Sequence, residues 1–240
     1  MTLRGLIFDV DGTLADTEEI HRRAFNAAFA ESGLSWRWSR RLYAQLLKVA
    51  GGKERLAFYI DQLALDPAAR AARLDDVAAL HASKTRHFCA SLARREKTLR
   101  AGVPRILSEA REAGLKLGIA STTTRANIEA LLGRAVLRGF DAIACGDLVS
   151  RKKPAPDVYL LALGEMGLTA AQCVAFEDSA VGVAAARAAG IFTIASPTLW
   201  TAEDDLSGAA LVVAEFEDLG GLDAIADRHA RWLAQNSEAA

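Results

Sequence analysis

The sequence predicts an α/β fold whose core is a doubly wound parallel sheet, with a helical cap domain inserted after the first strand. Short apolar runs recur along the chain without alternating with polar residues, which is typical of strands buried on both faces of a sheet. Most of these runs are followed by a segment with helical periodicity. One long helical block interrupts this alternation between the first two strands.

The predicted core has the Rossmann-like order of strand and helix. Its strands are expected at residues 6–10, 115–120, 142–145, 174–176 and 191–195. Its helices are expected at about 103–113, 124–133, 155–166 and 179–189. A glycine stands at the end of each predicted helix as a stop signal, at Gly114, Gly133, Gly167 and Gly190.

The helical block at residues 17–93 contains no convincing strand. Phe25 and Phe29 share one helical face, and Asp16 with Glu19 resembles a capping box that opens the block. An insertion of this length between two strands predicts a separate domain. The predicted division is a core of residues 1–16 and 94–230, a helical cap of residues 17–93, and a frayed C-terminal tail of residues 231–240.

The composition limits the classes of function. The chain has 240 residues and a net charge of −1, so no overall basic field attracts nucleic acid or a membrane surface. Residues 17–93 contain 12 Lys or Arg and 8 Asp or Glu, a balance of +4 that leaves −5 for the rest. No segment resembles a signal peptide or a membrane span. We therefore expect a monomeric cytoplasmic protein that binds neither nucleic acid nor membrane, with a basic cap over an acidic core.

Residues suited to phosphoryl chemistry follow four of the predicted strands. The carboxyl ends of parallel strands form the ligand-binding edge of a sheet, so we expect these residues to meet. Unpaired carboxylates at the end of a buried strand are costly, which indicates a cation, a partner or a reaction at this edge. In strand order the residues are Asp9 and Asp11, then Ser121 with Thr122, Thr123 and Thr124, then Lys153, then Glu177 with Asp178.

These motifs resemble the four motifs of the haloacid dehalogenase superfamily. DVDGT at 9–13 is similar to the first motif, the hydroxyl residue after the second strand to the second, the second lysine of KKPAPD to the third, and EDS at 177–179 to the fourth. The resemblance covers essentially the whole chain, including the position of the cap. It implies an enzyme that hydrolyses a phosphoric monoester.

The resemblance implies a role for each catalytic residue. Asp9 would be the nucleophile that forms an aspartyl-phosphate. Asp11 would be the general acid and base, protonating the leaving alkoxide and later deprotonating water. Ser121 would donate a hydrogen bond to the transferring phosphoryl group, and Lys153 would offset its charge.

The cofactor implied by the resemblance is Mg²⁺. Its predicted ligands are the carboxylates of Asp9 and Asp178 and the backbone carbonyl of Asp11. Glu177 would be a ligand directly or through water. Asp178 also has a simpler interpretation as a helix cap, and so does Ser121.

A closer resemblance is to the CbbY-like branch of this superfamily, which is related to β-phosphoglucomutase. The similar segments are 15–26, 51–55, 81–85 and 120–131. The branch implies a phosphorylated sugar as substrate, such as xylulose 1,5-bisphosphate, and a second anion site for the phosphate that is not cleaved. The predicted substrate-binding residues are Glu18, His21, Gly51, Gly52, Lys53, Arg55 and Lys84 in the cap, and Thr122, Thr123, Thr124, Arg125 and Asn127 in the core.

The residues leave other functions open. A mutase similar to β-phosphoglucomutase would use Asp9 and Asp11 but return the phosphoryl group to the sugar. A phosphonate hydrolase would form a Schiff base on Lys53, although that branch typically lacks an acid at the position of Asp11. A non-catalytic binding protein would have lost at least one motif residue, and none is lost here.

Overall fold

The core of the structure is a parallel sheet with helices packed on both faces. The computed structural model describes residues 2–94 and 99–237. The strands are β1 (Gly5–Phe8), β2 (Lys116–Ala120), β3 (Ala142–Ala144), β4 (Cys173–Glu177), β5 (Phe192–Ala195) and β6 (Leu211–Val212). They pair in the order β3-β2-β1-β4-β5-β6, and every pairing is parallel.

The helices divide into two groups along the chain. The first six lie between β1 and β2, and the others follow β2. The helices are α1 (Glu18–Glu31), α2 (Arg40–Leu46), α3 (Gly52–Asp61), α4 (Pro67–Asp75), α5 (Val77–Leu92), α6 (Val103–Glu112), α7 (Arg125–Leu137), α8 (Asp157–Met166), α9 (Ala180–Ala188) and α10 (Leu222–Ser237).

The apolar run of β1 is buried on both sides because successive side chains point to opposite faces of the sheet. Leu6 and Phe8 pack into an apolar cluster with α6 and α7. Ile7 packs on the other face with α8 and α9. This burial of both faces explains why the strand sequences do not alternate between apolar and polar residues.

The predicted α/β fold with a doubly wound parallel sheet is confirmed. All five predicted strands are present, each with bounds within two residues of the prediction, and α6, α8 and α9 are equally close. β6 and α10 were not predicted. The expected end of a helix at Gly133 is confirmed: this residue has non-helical angles of φ 72° and ψ 157°, and a second helical segment follows this kink as far as Leu137.

The helices α1–α5 have an apolar cluster of their own, built on the aromatic rings of Phe25, Phe29, Trp38 and Tyr43. The rings lie close together, with the Phe25 and Trp38 ring centroids 4.5 Å apart. Aromatic pairs of this kind bury large apolar areas and stabilise a small unit. The separate cluster supports the division into core and cap at residues 17 and 93, which stays a prediction.

The predicted capping box at the start of the cap is absent from the described structure. Thr17 is the N-cap residue of α1, and its side chain makes no capping hydrogen bond. Its hydroxyl instead donates to the carboxylate of Asp11 at 2.5 Å. Glu19 forms ion pairs with Arg22 and Arg23.

The predicted frayed tail is wrong for residues 231–237, because α10 continues through Ser237. Trp232 lies inside this segment, and its ring centroid is 5.5 Å from that of Phe192 in β5. This packing against the sheet gives the last turns of the helix a tertiary contact. Residues 238–240 of the predicted tail lie outside the described residues. Within the described ranges, every helix is too short or too polar to span a bilayer.

Candidate active site

The side chains predicted from the sequence meet in a cavity of about 740 Å³ between the carboxyl edge of the sheet and the cap helices. Strands β1, β2 and β4 end at this edge, so the residues that follow them enter the same space. The predicted residues that line the cavity are Asp9, Asp11, Glu18, His21, Gly51, Gly52, Lys53, Arg55, Lys84, Ser121, Thr122, Thr123, Thr124, Asn127, Lys153 and Asp178.

Two predicted site residues do not line the cavity. Glu177 is fully buried beneath it, at the end of β4. Arg125 begins α7, where its Nε donates to the carboxylate of Glu129 at 3.1 Å and half of its side chain is exposed. The structure therefore brings Glu177 against the site and leaves the Arg125 side chain outside it.

Three buried carboxylates meet at the closed end of the cavity. Asp9, Glu177 and Asp178 each offer an oxygen, and these oxygens lie within 4.8 Å of one another. Spacing of this kind and oxygen ligands suit a hard divalent cation. The carboxylate of Asp11 does not belong to this cluster. The predicted metal ligand from Asp11 is therefore its backbone carbonyl.

Lys153 is the cation embedded in this cluster. Its Nζ donates to Asp9 Oδ1 at 2.7 Å and to Glu177 Oε1 at 2.6 Å, and only 4% of its side chain is exposed. The hydroxyl of Tyr159 also donates to Glu177 Oε1 at 2.6 Å. One ammonium and three carboxylates leave an excess of buried negative charge.

The electrostatics of the cluster reflect this excess. Burial raises the pKa of Asp9 to about 7, with Lys153 acting in the opposite direction and Glu177 reinforcing the rise. Burial, Asp9 and Glu177 raise the pKa of Asp178 well above its ordinary value. Carboxylates that resist ionisation in the metal-free protein become favourable ligands once a cation supplies the missing charge. The residues present therefore fit Mg²⁺.

Gly12 is required where the catalytic loop approaches this cluster. Its φ of +89° lies in the left-handed region, and a Cβ at this position would collide with the carboxylate of Asp178. The DVDG turn can therefore pass against the residue that follows β4 only with glycine at this position.

Asp11 is held by a hydrogen-bonded chain that leads into the cap. Its Oδ1 accepts from Thr17 at 2.5 Å and from Nε2 of His21 at 2.8 Å. Nδ1 of His21 lies 2.6 Å from Nζ of Lys84, and because an ammonium only donates, this nitrogen is the acceptor. Burial raises the pKa of Asp11, but His21, Thr17 and Lys84 together outweigh it and bring the pKa below its ordinary value.

The imidazole of His21 is also packed, because its ring stacks on Phe88 with centroids 3.9 Å apart. It therefore bridges Lys84 and Asp11 while filling space between α1 and α5. Burial lowers the pKa of Lys84 to about 8, with Asp11 acting in the opposite direction. The partners of Asp11 therefore favour its ionised carboxylate. Burial makes the positive charge of Lys84 energetically unfavourable.

Lys84→Met is expected to change how stability depends on pH. Lys84 has a pKa of about 8 in the fold and an ordinary value of 10.5. The unfolded chain therefore binds more protons between these values, and wild-type stability rises with pH across that window. The difference in unfolding free energy, variant minus wild type, should fall by up to about 3 kcal/mol from pH 8 to pH 10.5.

Urea denaturation of the metal-free proteins at a series of pH values measures this difference. Lys48→Met is the matched control, because Lys48 is exposed. If the difference in unfolding free energy between Lys84→Met and wild type stays constant from pH 8 to pH 10.5, then burial does not lower the pKa of Lys84.

The loop after β2 is preordered by its own hydroxyl groups. Oγ of Ser121 accepts from the backbone N–H of Thr123 at 3.3 Å, and Oγ1 of Thr123 accepts from Nδ2 of Asn127 at 2.9 Å. Helix α7 begins only at Arg125, so Ser121 is not its N-cap. Oδ1 of Asn127 is buried and has no partner within the described residues. The loop thus presents polar atoms to the cavity from fixed positions.

The cap supplies the opposite rim of the cavity. Gly51 is the N-cap residue of α3 and Gly52 begins the helix, where a Cβ on Gly52 would lie 2.5 Å from Nε2 of His81. Burial, Lys84 and Lys53 lower the pKa of His81 to about 3, so its imidazole is neutral. Lys53 is exposed, and no hydrogen bond or ion pair holds its ammonium in the part of the chain that the structure describes.

A second set of contacts joins the cap to the core across the cavity. The Tyr43 hydroxyl donates to Glu18 Oε2 at 2.7 Å, and Nη1 of Arg55 donates to the same hydroxyl at 3.2 Å. The ring of Trp200, which follows β5, packs edge-on against Tyr43 at 5.5 Å. The hydroxyl of Thr201 donates a hydrogen bond to Oδ2 of Asp178 at 3.3 Å.

Several of these residues were not predicted from the sequence. Tyr43, Trp200 and Thr201 carry no motif, and each reaches the site from a distant part of the chain. His81 begins the segment 81–85, whose resemblance to the CbbY-like branch is the signal that could have identified it.

The fold and the site define a phosphatase of the haloacid dehalogenase superfamily. The chain belongs to the haloacid dehalogenase-like hydrolases, whose family model matches residues 3–190. Within that family it is similar to the protein CbbY of Cupriavidus necator, with 50% identity over 220 residues that make up 90% of this chain and 87% of that protein. The predicted resemblance to the CbbY-like branch is therefore confirmed.

Two further relatives bear on the activity. Fructose-1-phosphate phosphatase YqaB of Escherichia coli is 35% identical over 191 residues, covering 78% of this chain and 93% of that protein. The crystal structure of a mutant CbbY from Rhodobacter sphaeroides in complex with xylulose 1,5-bisphosphate has a TM-score of 0.87 and 42% identity. The match covers 92% of this chain and 98% of that one.

Proposed function

We propose that the protein hydrolyses a sugar bisphosphate of the xylulose 1,5-bisphosphate class, through a phosphoryl group carried on Asp9. The observation that carries this proposal is the two-ended cavity. One end holds the carboxylate cluster with Lys153, and the other is lined by cap cations. A substrate with a phosphate at each end matches both. The relative crystallised with xylulose 1,5-bisphosphate supports the same class.

In the first step, a carboxylate oxygen of Asp9 attacks phosphorus, and the bond from phosphorus to the sugar oxygen breaks. The leaving alkoxide takes a proton from Asp11. In the second step, water attacks the aspartyl-phosphate, gives its proton to Asp11, and releases inorganic phosphate with Asp9 restored. Lys153 and the polar atoms of Ser121 stabilise the phosphoryl oxygens during both transfers.

The two proton transfers require Asp11 in two states. Donors from Thr17 and His21 favour its ionised form, which is the form that accepts a proton from water. To protonate the alkoxide, Asp11 must first gain a proton and leave these donors. Both donors belong to the start of the cap, so a shift of the cap relative to the sheet would release Asp11 at the step that needs an acid.

Mg²⁺ would be bound by Asp9 and Asp178, by Glu177 directly or through water, and by the backbone carbonyl of Asp11. When bound, it neutralises charge on the phosphoryl oxygens. The chain's own residues then orient the substrate and move the protons.

A phosphate-release screen across sugar mono- and bisphosphates, with Mg²⁺ and with a chelator, tests this function. We expect release that requires Mg²⁺ and a higher kcat/KM for a pentulose bisphosphate than for the corresponding monophosphates. Isomer formation without inorganic phosphate would instead identify a mutase.

Lys53→Ala is expected to raise KM for the bisphosphate about 10- to 100-fold, since one charge-assisted contact to phosphate contributes about 1.5–3 kcal/mol. Lys53 lines the cap rim, and its ammonium has no hydrogen-bond or ion-pair partner inside the described ranges. KM for a monophosphate and kcat should change little. Arg125→Ala is the matched control, because its side chain lies outside the cavity and is expected to leave both constants unchanged. Equal losses in the two variants would refute the assignment of the distal phosphate to Lys53.

A further inference from the structure

Arg100 is a buried cation that none of the sequence motifs contains. It lies in the segment that returns from the cap to the core, three residues before α6. Only 8% of its side chain is exposed, and its guanidinium lies over the ring of Phe216 at 5.0 Å. Burial of a charged side chain to this degree requires that its donors be satisfied.

The guanidinium satisfies its donors by joining three separate parts of the core. Nη1 donates to the carbonyl of Gly12 at 2.6 Å and to the carbonyl of Ser196 at 2.8 Å. Nη2 donates to Oγ of Ser196 at 2.7 Å and to Oε2 of Glu215 at 2.9 Å. Ser196 directly follows β5, so the guanidinium links the DVDG turn to the carboxyl end of that strand.

The backbone of Arg100 adds a contact to the outgoing linker, because its N–H donates to the carbonyl of Leu14 at 2.9 Å. Gly12 and Leu14 lie on the chain as it leaves β1 for the cap, and Arg100 lies on the chain as it returns. The same residue therefore holds both connections between cap and core at the level of the catalytic loop.

We infer that Arg100 is a positioning residue, which fixes the turn carrying Asp9 and Asp11 against the end of β5 while the cap changes position. The inference rests on the proposed function of those two aspartates. The carbonyl of Gly12 belongs to the residue directly after Asp11, and the left-handed backbone of Gly12 leaves the turn little room to adjust against Asp178. Loss of the guanidinium would let this carbonyl move and would misplace both carboxylates.

Arginine suits this position because its planar fork makes several hydrogen bonds in fixed directions. A lysine keeps the charge but cannot reach the acceptors from Gly12, Ser196 and Glu215 together. Arg100→Lys therefore keeps the positive charge and removes the fixed set of hydrogen bonds that positions the turn.

The test compares Arg100→Lys and Arg100→Met with Glu215→Gln. Misplacement of reacting groups by about 1 Å costs on the order of 10²-fold, so we expect both Arg100 variants to lose kcat by about 10- to 100-fold with KM nearly unchanged. Glu215→Gln removes the ion pair but leaves the bond to Gly12, and it should lower the melting temperature while kcat stays within about twofold.

Hydrogen exchange of the metal-free proteins gives a readout that does not depend on turnover. Amides of residues 9–15 should exchange faster in both Arg100 variants than in wild type, and at the wild-type rate in Glu215→Gln. The inference would be overturned if Arg100→Lys had the same amide exchange rates and the same kcat as wild type. It would also be overturned if Glu215→Gln lost as much kcat as the Arg100 variants. Failure of the proposed function is a different result, namely no phosphate release by the wild type, and the exchange experiment still decides the role of Arg100.

Discussion

Asp9→Asn is expected to lower kcat by at least about 10⁴-fold while the protein stays folded. The amide has the shape of the carboxylate, and its oxygen still accepts a hydrogen bond from Lys153. Its uncharged oxygen does not attack phosphorus, so the aspartyl-phosphate does not form. Initial rates of phosphate release measure the loss, and acid-quenched intact-protein mass spectrometry tests for a phosphorylated wild-type enzyme.

The same variant should gain stability over wild type as the pH rises. Burial raises the pKa of Asp9 to about 7 from an ordinary value of 3.8, against the lowering effect of Lys153. Between these values the folded protein binds more protons than the unfolded chain, so wild-type stability falls with rising pH in the metal-free state. Asparagine has no such ionisation, and its advantage should grow across this window in urea denaturation.

Asp16→Asn is the control for both measurements, because Asp16 is exposed and lies in the same stretch of sequence. It should keep wild-type turnover and show no pH-dependent gain. Turnover above about a tenth of the wild-type rate by Asp9→Asn would refute the assignment of Asp9 as nucleophile.

The acidic end of the site could be predicted because the topology alone brings its residues together. Asp9 directly follows β1 and Asp178 directly follows β4, and these strands are neighbours with matching register. Once the strands are recognised, the positions of residues at their carboxyl ends follow from the parallel pairing. Lys153 could be included because of its motif, although its contact with Glu177 depends on packing across 24 residues of sequence.

The cap side could be predicted only in part, because its geometry depends on contacts between distant helices and loops. Trp200 reaches Tyr43 from the far side of the chain, and Arg100 reaches Gly12 across 88 residues. Neither contact produces a recognisable periodicity or motif spacing in the sequence. Arg125 shows the converse: its spacing of four residues from Glu129 favours a pair on the helix surface, and that pairing places it outside the cavity.

Lys153→Met is expected to lower both turnover and stability. The ammonium is buried between Asp9 and Glu177, and removing one partner of a buried ionic pair leaves uncompensated charge at a cost of about 3–5 kcal/mol. Loss of electrostatic stabilisation of the phosphoryl group should lower kcat by about 10²- to 10³-fold. Phosphate release and urea denaturation measure the two effects.

The stability loss should depend on pH. Lys153 lowers the pKa of Asp9, so its removal raises that pKa further above about 7. Above about pH 7, Asp9 loses its proton in the folded wild type but keeps it in the folded variant, so the variant binds more protons. The deficit relative to wild type should therefore grow as the pH rises above about 7 and be smaller at lower pH. Lys116→Met is the control, because Nζ of Lys116 donates to the carbonyl of Met166 at 2.5 Å, away from the cavity.

The double variant Lys153→Met/Glu177→Gln separates the two roles of the ammonium. Replacing Glu177 removes one of the two carboxylates that Lys153 contacts, so the double variant should regain part of the stability lost by Lys153→Met. Glu177→Gln alone is the reference for turnover, because Glu177 is also a proposed Mg²⁺ ligand. If Lys153 acts only as the counter-charge of the carboxylates, turnover of the double variant should recover to that of Glu177→Gln. If Lys153 also offsets the charge of the transferring phosphoryl group, turnover stays low because no other buried ammonium among the described residues contacts Asp9. We expect the second result, and recovery of turnover would reduce Lys153 to a structural role.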